Sequence, residues 1–265
     1  MLPIQSKDNP RFRSVRGLLE QASLRRKLGQ TVLEGTHLLS AYQQQGLRPQ
    51  SIWLAEQAQS HPEVQALLQG WPDVPVLLLA DGLYQQLRSL GPGVDVLAVI
   101  EVPAAPAAID WQGDLLILDR VQDSGNVGTL LRSAAAAGFR TVLCTEGTAS
   151  VWSPRVLRAG MGAQFGLSIH EHLNAEALLQ QCQVPLLATS SHADQSLYAQ
   201  DLRGPVGWLM GNEGQGVGAA LLAAAQPVCI PQPGGQESLN VAVAGSVCLF
   251  ETVRQRLMEQ AACPD

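Results

Sequence analysis

Long apolar runs are missing from this chain. None approaches the roughly 20 residues that a bilayer-spanning helix requires, which argues against an integral helical membrane protein. The opening MLPIQSKDNP lacks the apolar stretch of a secretory signal, so export is not expected. Cysteine is sparse and unpatterned. Cys144, Cys182, Cys229, Cys248 and Cys263 show no CxxC spacing, and their odd number argues against a disulfide framework and for a reducing, cytoplasmic setting. The two standard phosphate fingerprints, GxGxxG and GK[ST], are absent too, which ranks an ordinary ATP- or NAD-binding enzyme last. Aromatic residues make up 5% of the chain, and its five tryptophans (Trp53, Trp71, Trp111, Trp152, Trp208) are scattered as core residues would be.

What is present is a globular composition: 265 residues, 46% hydrophobic and 15% charged, enough for two small domains or one large one. The net charge of −6 is unevenly placed. Residues 1–50 hold eight basic and three acidic side chains, whereas the remainder holds nine basic and twenty acidic. Arg11, Arg13, Arg16, Arg25, Arg26 and Lys27 fall largely in one predicted helix, SVRGLLEQASLRRKLG. Such a patch is either a solvated helix face or a phosphate contact, because screening makes the distant acidic half matter little.

The Pro/Ala-rich stretch EVPAAPAAID (101–110) reads as a linker between an α/β unit at 1–100 and a second at 111–265. In the second, the apolar runs DLLILD, TVLCT, VPLLATS, VGWLMG and PVCIP alternate with helical patterns. Near-continuous apolar strands separated by helices predict a parallel sheet covered on both faces, with ligands gathered at the carboxyl ends of the strands. Three polar clusters occupy those ends. DRVQDSGNVGTLLRSAAAAG (119–138) places Asn126 where it can cap a helix starting near Val127, with Arg132 further along it. WLMGNEGQGV (208–217) surrounds Asn212 and Glu213 with glycines that let the backbone turn sharply and a ligand approach closely. IPQPGGQESLNVAVAG (230–245) follows a strand at Val228–Ile230 and brings Glu237, Ser238 and Asn240 to the first turn of a long apolar helix, with Ser238 a candidate cap. His170 and His172 alternate as on one face of a surface strand, but no third ligand accompanies them, and no metal is expected. The Ser, His and Asp crowded into SSHADQS (190–196) read as a loop.

Together the three clusters resemble the SpoU/TrmH family of RNA ribose 2′-O-methyltransferases, within the SPOUT superfamily. The NxGxxxRxA pattern from Asn126 to Ala134, GNEGQGV, and IPxxGxxESLNVAVA match its three motifs in order. NPRFRSVRGLL, RRKLGQTVLEG and LAVIEV carry a weaker resemblance to the ribosomal-protein-L30e-like substrate domain often attached to it. This resemblance implies a C-terminal parallel-sheet domain with a deep trefoil knot beside a smaller L30e-like α/β domain. It implies S-adenosylmethionine held by Thr189, Ser190, Gly211, Asn212, Glu213, Ile230, Ser238, Leu239 and Asn240. Arg132 is then the expected catalytic group, assisted by Asn126, Glu213, Ser238 and Asn240, with RNA held through Arg11, Arg13, Arg25, Arg26 and Lys27.

Homodimerisation through the second domain also follows from the resemblance. The implied substrate is structured rRNA, with tRNA as the alternative. Arginine is almost always protonated, so stabilising a developing oxyanion or binding a neighbouring phosphate is a physically easier role for Arg132 than general base. A non-catalytic RNA-binding or ribosome-assembly module on the same fold is the competing class. The intact motif residues argue against it.

Overall fold

A computed structural model describes residues 1–89, 93–235 and 238–262. Glu237 and Cys263 lie outside the described residues. The chain forms two compact units: Met1–Ala104 with Trp152–Phe165, and Ala105–Val151 with Gly166–Asp265. A linear division would leave 152–165 with the second half of the chain, but its Trp152, Leu157 and Phe165 pack into a core of the first unit.

In chain order the elements begin with β1 (Leu2–Ile4), α1 (Pro10–Glu20), α2 (Ala22–Leu28), β2 (Gln30–Glu34), α3 (Thr36–Gln44) and β3 (Ser51–Ala55). Next come α4 (Pro62–Gly70), β4 (Val76–Leu79), α5 (Asp81–Tyr84), β5 (Val96–Glu101), β6 (Leu115–Asp119), α6 (Ser124–Ala136), β7 (Thr141–Thr145) and α7 (Pro154–Gly160). The last are β8 (Ser168–Leu173), α8 (Ala175–Gln181), β9 (Leu186–Thr189), β10 (Gly207–Gly211), α9 (Ala219–Ala224), β11 (Gln226–Val228) and α10 (Val241–Ala262).

The first unit is a mixed sheet in the order β1-β4-β3-β5-β2, with β5 antiparallel to both neighbours. The basic segment expected as one helix is two. Gln21 takes an extended conformation (φ −116°, ψ 111°) and the chain folds back, so that Leu24 lies against Gly17, where a Cβ would clash. Periodicity could not show this break, because both halves are helical and the cause is a contact between them.

The second unit is an all-parallel sheet in the order β11-β9-β10-β6-β7-β8. Every residue of β6, β7 and β10 is buried, as their unbroken apolar sequences require. From β6 the chain moves outward to β7 and β8, then crosses to β9 and returns to place β10 beside β6. The direction of winding therefore reverses between β6 and β10, where a doubly wound sheet opens a ligand crevice at its carboxyl ends. Their register, Gly207 opposite Leu115 through Gly211 opposite Asp119, makes both strands end level.

Helix α10 lies over β10 and α6. Gly245 meets Leu130 and Met210 closely, Ser133 and Ser246 share a 2.8 Å hydrogen bond, and the buried Trp208 indole donates to Thr252 at 3.1 Å. The strand expected at Val228–Ile230 ends at Val228, leaving Ile230 in the following loop. His170 and His172 do not share a face: His172 has φ +61° beside a register shift in the β7–β8 pair, so His170 is buried and His172 exposed.

Candidate active site

Two of the caps differ from expectation, and the difference builds the site. Asp123, not Asn126, caps α6, its Oδ1 accepting from the Asn126 amide at 2.8 Å. Asn126 thus sits in the first turn with its side chain free to reach elsewhere. Asn240, not Ser238, caps α10, its Oδ1 accepting from the amides of Ala242 (2.9 Å) and Val243 (3.2 Å).

Those backbone donors fix the direction of a hydrogen-bond chain. With Asn240 Oδ1 committed to the helix, its Nδ2 faces outward and donates to Asn126 Oδ1 at 2.9 Å. Asn126 Nδ2 must then donate, and it does so to Glu213 Oε1 at 3.0 Å. Glu213 also accepts from the amides of Gln122 (3.1 Å) and Asp123 (3.0 Å). Burial works against its charge, but the Asn126 amide and the surrounding backbone N–H groups prevail and hold its carboxyl below the usual range. One chain of polar side chains therefore ties the loops after β6, β10 and β11 together at the switch point.

The loop after β10 is shaped by Asn212. Its Oδ1 accepts from Gly214 and Gln215 at 3.0 Å each, its backbone pairs with Gly216, and its Nδ2 donates to the Arg120 carbonyl at 2.9 Å. Gly211 permits this tight return, since a Cβ there would overlap the backbone of Gly216 and Val217. On the other side, Ser190 donates its amide to Val228, while Leu197 and Gln195 pair with Cys229. These bonds join the end of β9 and the loop after it, with Thr189 and Ser190, to the loop containing Ile230.

Ser238 is exposed and makes no hydrogen bond among the described residues; Leu239 is 37% exposed. Arg132 lies with Gly125 and Thr129 on the exposed side of α6 and makes no hydrogen bond or ion pair among the described residues. It is not a member of the chain that joins the loops. Of the basic residues in the first unit, Arg11, Arg13, Arg26 and Lys27 are exposed without side-chain partners among the described residues. Arg25 differs. Its guanidinium donates to the carbonyls of Leu18 (2.7 Å) and Leu19 (3.4 Å) at the end of α1, and burial first, then Arg26, lowers its pKa. This contact ties α2 to the end of α1.

Sequence reasoning missed a second network. Asp119, 3% exposed, accepts from Thr145 Oγ1 at 2.8 Å and from the Gly218 amide at 2.7 Å, with Arg120 Nη2 at 3.3 Å. Arg120, at φ +56°, donates its amide to Thr145 and Thr148. An aspartate closing the apolar run DLLILD was the available signal, since a buried carboxylate needs partners.

The loop after β11 has features that fit a bound cofactor. Gln232 Oε1, in the loop after β11, is buried without a hydrogen-bond partner among the described residues, an acceptor awaiting a donor. Gly234 and Gly235 leave open space beside the same loop. No group of His, Cys, Asp and Glu able to hold a metal occurs among the described residues.

Comparison with known proteins gives this arrangement a family. The SpoU rRNA Methylase profile matches residues 114–250. An uncharacterized tRNA/rRNA methyltransferase of Synechocystis sp. is 33% identical over 260 residues, covering 96% of this chain and 94% of the relative. The 23S rRNA (guanosine-2′-O-)-methyltransferase RlmB of Xanthomonas campestris is 42% identical over 186 residues, 67% of this chain and 75% of that one. Among solved structures, an RNA 2′-O ribose methyltransferase superposes with a TM-score of 0.82 at 30% identity, covering 97% of this chain and all of the other. The SpoU methyltransferase AviRb of Streptomyces viridochromogenes, solved with AdoMet, gives 0.83 at 26% identity over 94% of this chain and 98% of its own. The chain belongs to the SpoU family of S-adenosylmethionine-dependent RNA methyltransferases.

Proposed function

We propose that this protein transfers a methyl group from S-adenosylmethionine to a ribose 2′-hydroxyl of ribosomal RNA, at the crevice between β6 and β10. The observation that carries this reading is the Glu213–Asn126–Asn240 chain, which holds three motif loops in one geometry at the switch point of the sheet. Thr189, Ser190, Gly211, Asn212, Ile230, Ser238 and Leu239 would hold the cofactor, together with Gln232. S-adenosylmethionine supplies an electrophilic methyl group on a sulfonium.

The protein's part is positioning and electrostatics, and alignment of nucleophile and electrophile is worth several kcal/mol. Arg132, without a hydrogen-bond or ion-pair partner among the described residues, binds the phosphate beside the target ribose. It stabilises the 2′-oxygen as that atom gains the methyl and gives its proton to water, S-adenosylhomocysteine being the leaving group. Glu213, already a weak base because its charge is hydrogen-bonded, orients Asn126 and the loop 120–123. Asn240 links that loop to the start of α10.

The first unit is the L30e-like domain that selects RNA, supported by the exposed Arg11, Arg13, Arg26 and Lys27. A second copy of the chain packs on α10, whose Val243, Phe250 and Leu257 repeat at seven-residue spacing and are 48–59% exposed. A deep trefoil knot belongs to the same reading: α10 returns over β10 and α6 after the chain has left the sheet at the edge strand β11. The free thiols of Cys144, Cys182, Cys229 and Cys248 support a cytoplasmic setting. No helix among the described residues is long and apolar enough to cross a membrane.

The test is transfer of labelled methyl to total rRNA lacking its native modifications, followed by nuclease mapping. Arg132→Ala should lower turnover at least about 100-fold, in the range of lost oxyanion stabilisation, while cofactor affinity and melting temperature stay unchanged. Unchanged methylation in that variant would remove Arg132 from the site. Absence of both transfer and cofactor binding in the folded wild type would leave the non-catalytic RNA-binding reading.

A further inference from the structure

In the first unit, a cavity of about 430 Å³ opens at the start of α3, within the size range of small-ligand sites. Tyr84 lines it, 1% exposed, and its hydroxyl has no hydrogen-bond partner among the described residues. Leaving a buried hydroxyl unpaired costs on the order of 1–3 kcal/mol, so an occupant that accepts its hydrogen bond removes a standing penalty. The second polar feature is α3 itself. It is nine residues long and starts from Gly35 (φ +92°), which provides no side chain to accept from its first amides.

The charges decide what the occupant is. Glu34, Glu63 and Asp95 line the cavity against Arg88 and Arg158. Arg88 is paired with the buried Asp95 at 2.8 Å, and Asp95 also accepts from Gln57 at 3.0 Å. With Arg88 and Asp95 paired, Glu63 and Glu34, the latter already accepting from the Ser89 amide and hydroxyl, remain against Arg158, and this negative balance disfavours a phosphate. It suits a neutral group that offers acceptors to Tyr84 and the α3 amides and donors to the carboxylates. Leu38, Val94 and Met161 provide apolar wall, and the exposed His37 supplies a ring at the mouth. A flat face flanked by mixed donors and acceptors describes a nucleobase, which single-stranded RNA presents when it splays out of the stack.

We infer that this cavity receives one unstacked nucleobase of the RNA substrate, with Tyr84 Oη donating to an acceptor on the base edge. The identity of the ligand rests on the RNA-methylation reading above. Burial first, then Glu34 and Asp95, and against Arg88, push the Tyr84 hydroxyl well above its ordinary range, which keeps it a donor at all working pH.

The chain has three tyrosines, so full-length protein labelled with 3-fluorotyrosine gives a small set of fluorine resonances that Tyr84→Phe assigns. Titration with each of the four ribonucleoside 5′-monophosphates at millimolar concentration should move the Tyr84 resonance for one or two bases and not for inorganic phosphate. Tyr84→Phe should leave the melting temperature of the free protein unchanged or raised, because the lost hydroxyl had no partner. It should weaken binding of that nucleotide about fivefold, near 1 kcal/mol. No movement with any nucleotide, equal movement with phosphate alone, or a lowered melting temperature with unchanged binding overturns the proposal. A Tyr84 response without methyl transfer to rRNA would sink the enzymatic reading and leave the base pocket standing. Methyl transfer without a Tyr84 response would do the reverse.

Discussion

Asn126→Asp is a change of one NH₂ to an oxygen, with shape retained, yet it reverses the donor that Glu213 Oε1 receives at 3.0 Å. Asn126 cannot adapt by flipping, because its Oδ1 faces the Asn240 amide group, whose own direction is set by the start of α10. The variant therefore brings two carboxylates to hydrogen-bonding distance. Unit charges about 3 Å apart repel by about 1.4 kcal/mol at the dielectric of water and about 5 kcal/mol at an effective dielectric of 20. Glu213 is exposed, so the lower part of that span applies, about 1–3 kcal/mol. Melting should fall by about 2–12 °C at pH 7, at about 2–4 °C per kcal/mol for a domain of this size.

The pH dependence has a definite sign. In the wild type the Glu213 carboxyl is lowered in the folded state, so its contribution is present above the unfolded value near 4.3 and is lost as pH falls through the folded one. In the variant the pair shares a raised pKa, so the deficit is small near pH 4 and grows as pH rises toward 7. Melting curves from pH 4 to 8, with cofactor calorimetry at pH 7, measure both. A variant that melts and binds S-adenosylmethionine like the wild type at pH 7 would refute the claim that this chain holds the loops.

Gly211→Ala should cost about 1–3 kcal/mol of stability and at least tenfold in cofactor affinity, because the new methyl displaces the backbone of Gly216 and Val217; melting and calorimetry read both. Arg25→Ala should lower stability by about 1–2 kcal/mol through the lost bonds to Leu18 and Leu19, whereas Arg26→Ala should leave melting unchanged and weaken RNA binding with a shallower salt dependence. Phe250→Asp should convert a dimer to a monomer in analytical ultracentrifugation, since it sets a charge in the exposed apolar stripe of α10; a monomeric wild type would contradict that interface.

The fully buried strands of the second unit were legible because LLILD, TVLCT and GWLMG can only be satisfied with helices on both faces. The motif positions Asn126, Asn212, Glu213 and Asn240 were legible as polar residues at strand ends. Their partnerships were not. Asn126 lies 87 residues from Glu213 and 114 from Asn240, and no local pattern states which of several nearby oxygens an amide will meet. The caps were misplaced for a related reason: Asp123 and Ser124 flank Asn126, Ser238 lies close to Asn240, and each can cap as well locally. Tertiary competition for the side chains chose among them.

By itself, then, the amino-acid sequence determined the apolar strands of the second unit, the parallel character of their sheet and the three polar loops at strand ends. Those follow from burial and turn formation, which act over a few residues. Only the tertiary structure decided that β10 inserts beside β6 and that residues 152–165 join the first unit's core. It also decided that Arg25 bonds to the end of α1, and that Tyr84, which lines a cavity, keeps a buried hydroxyl with no partner among the described residues. Each of these depends on which distant surfaces meet, and a hydrogen bond or a packing contact has no energy until they do.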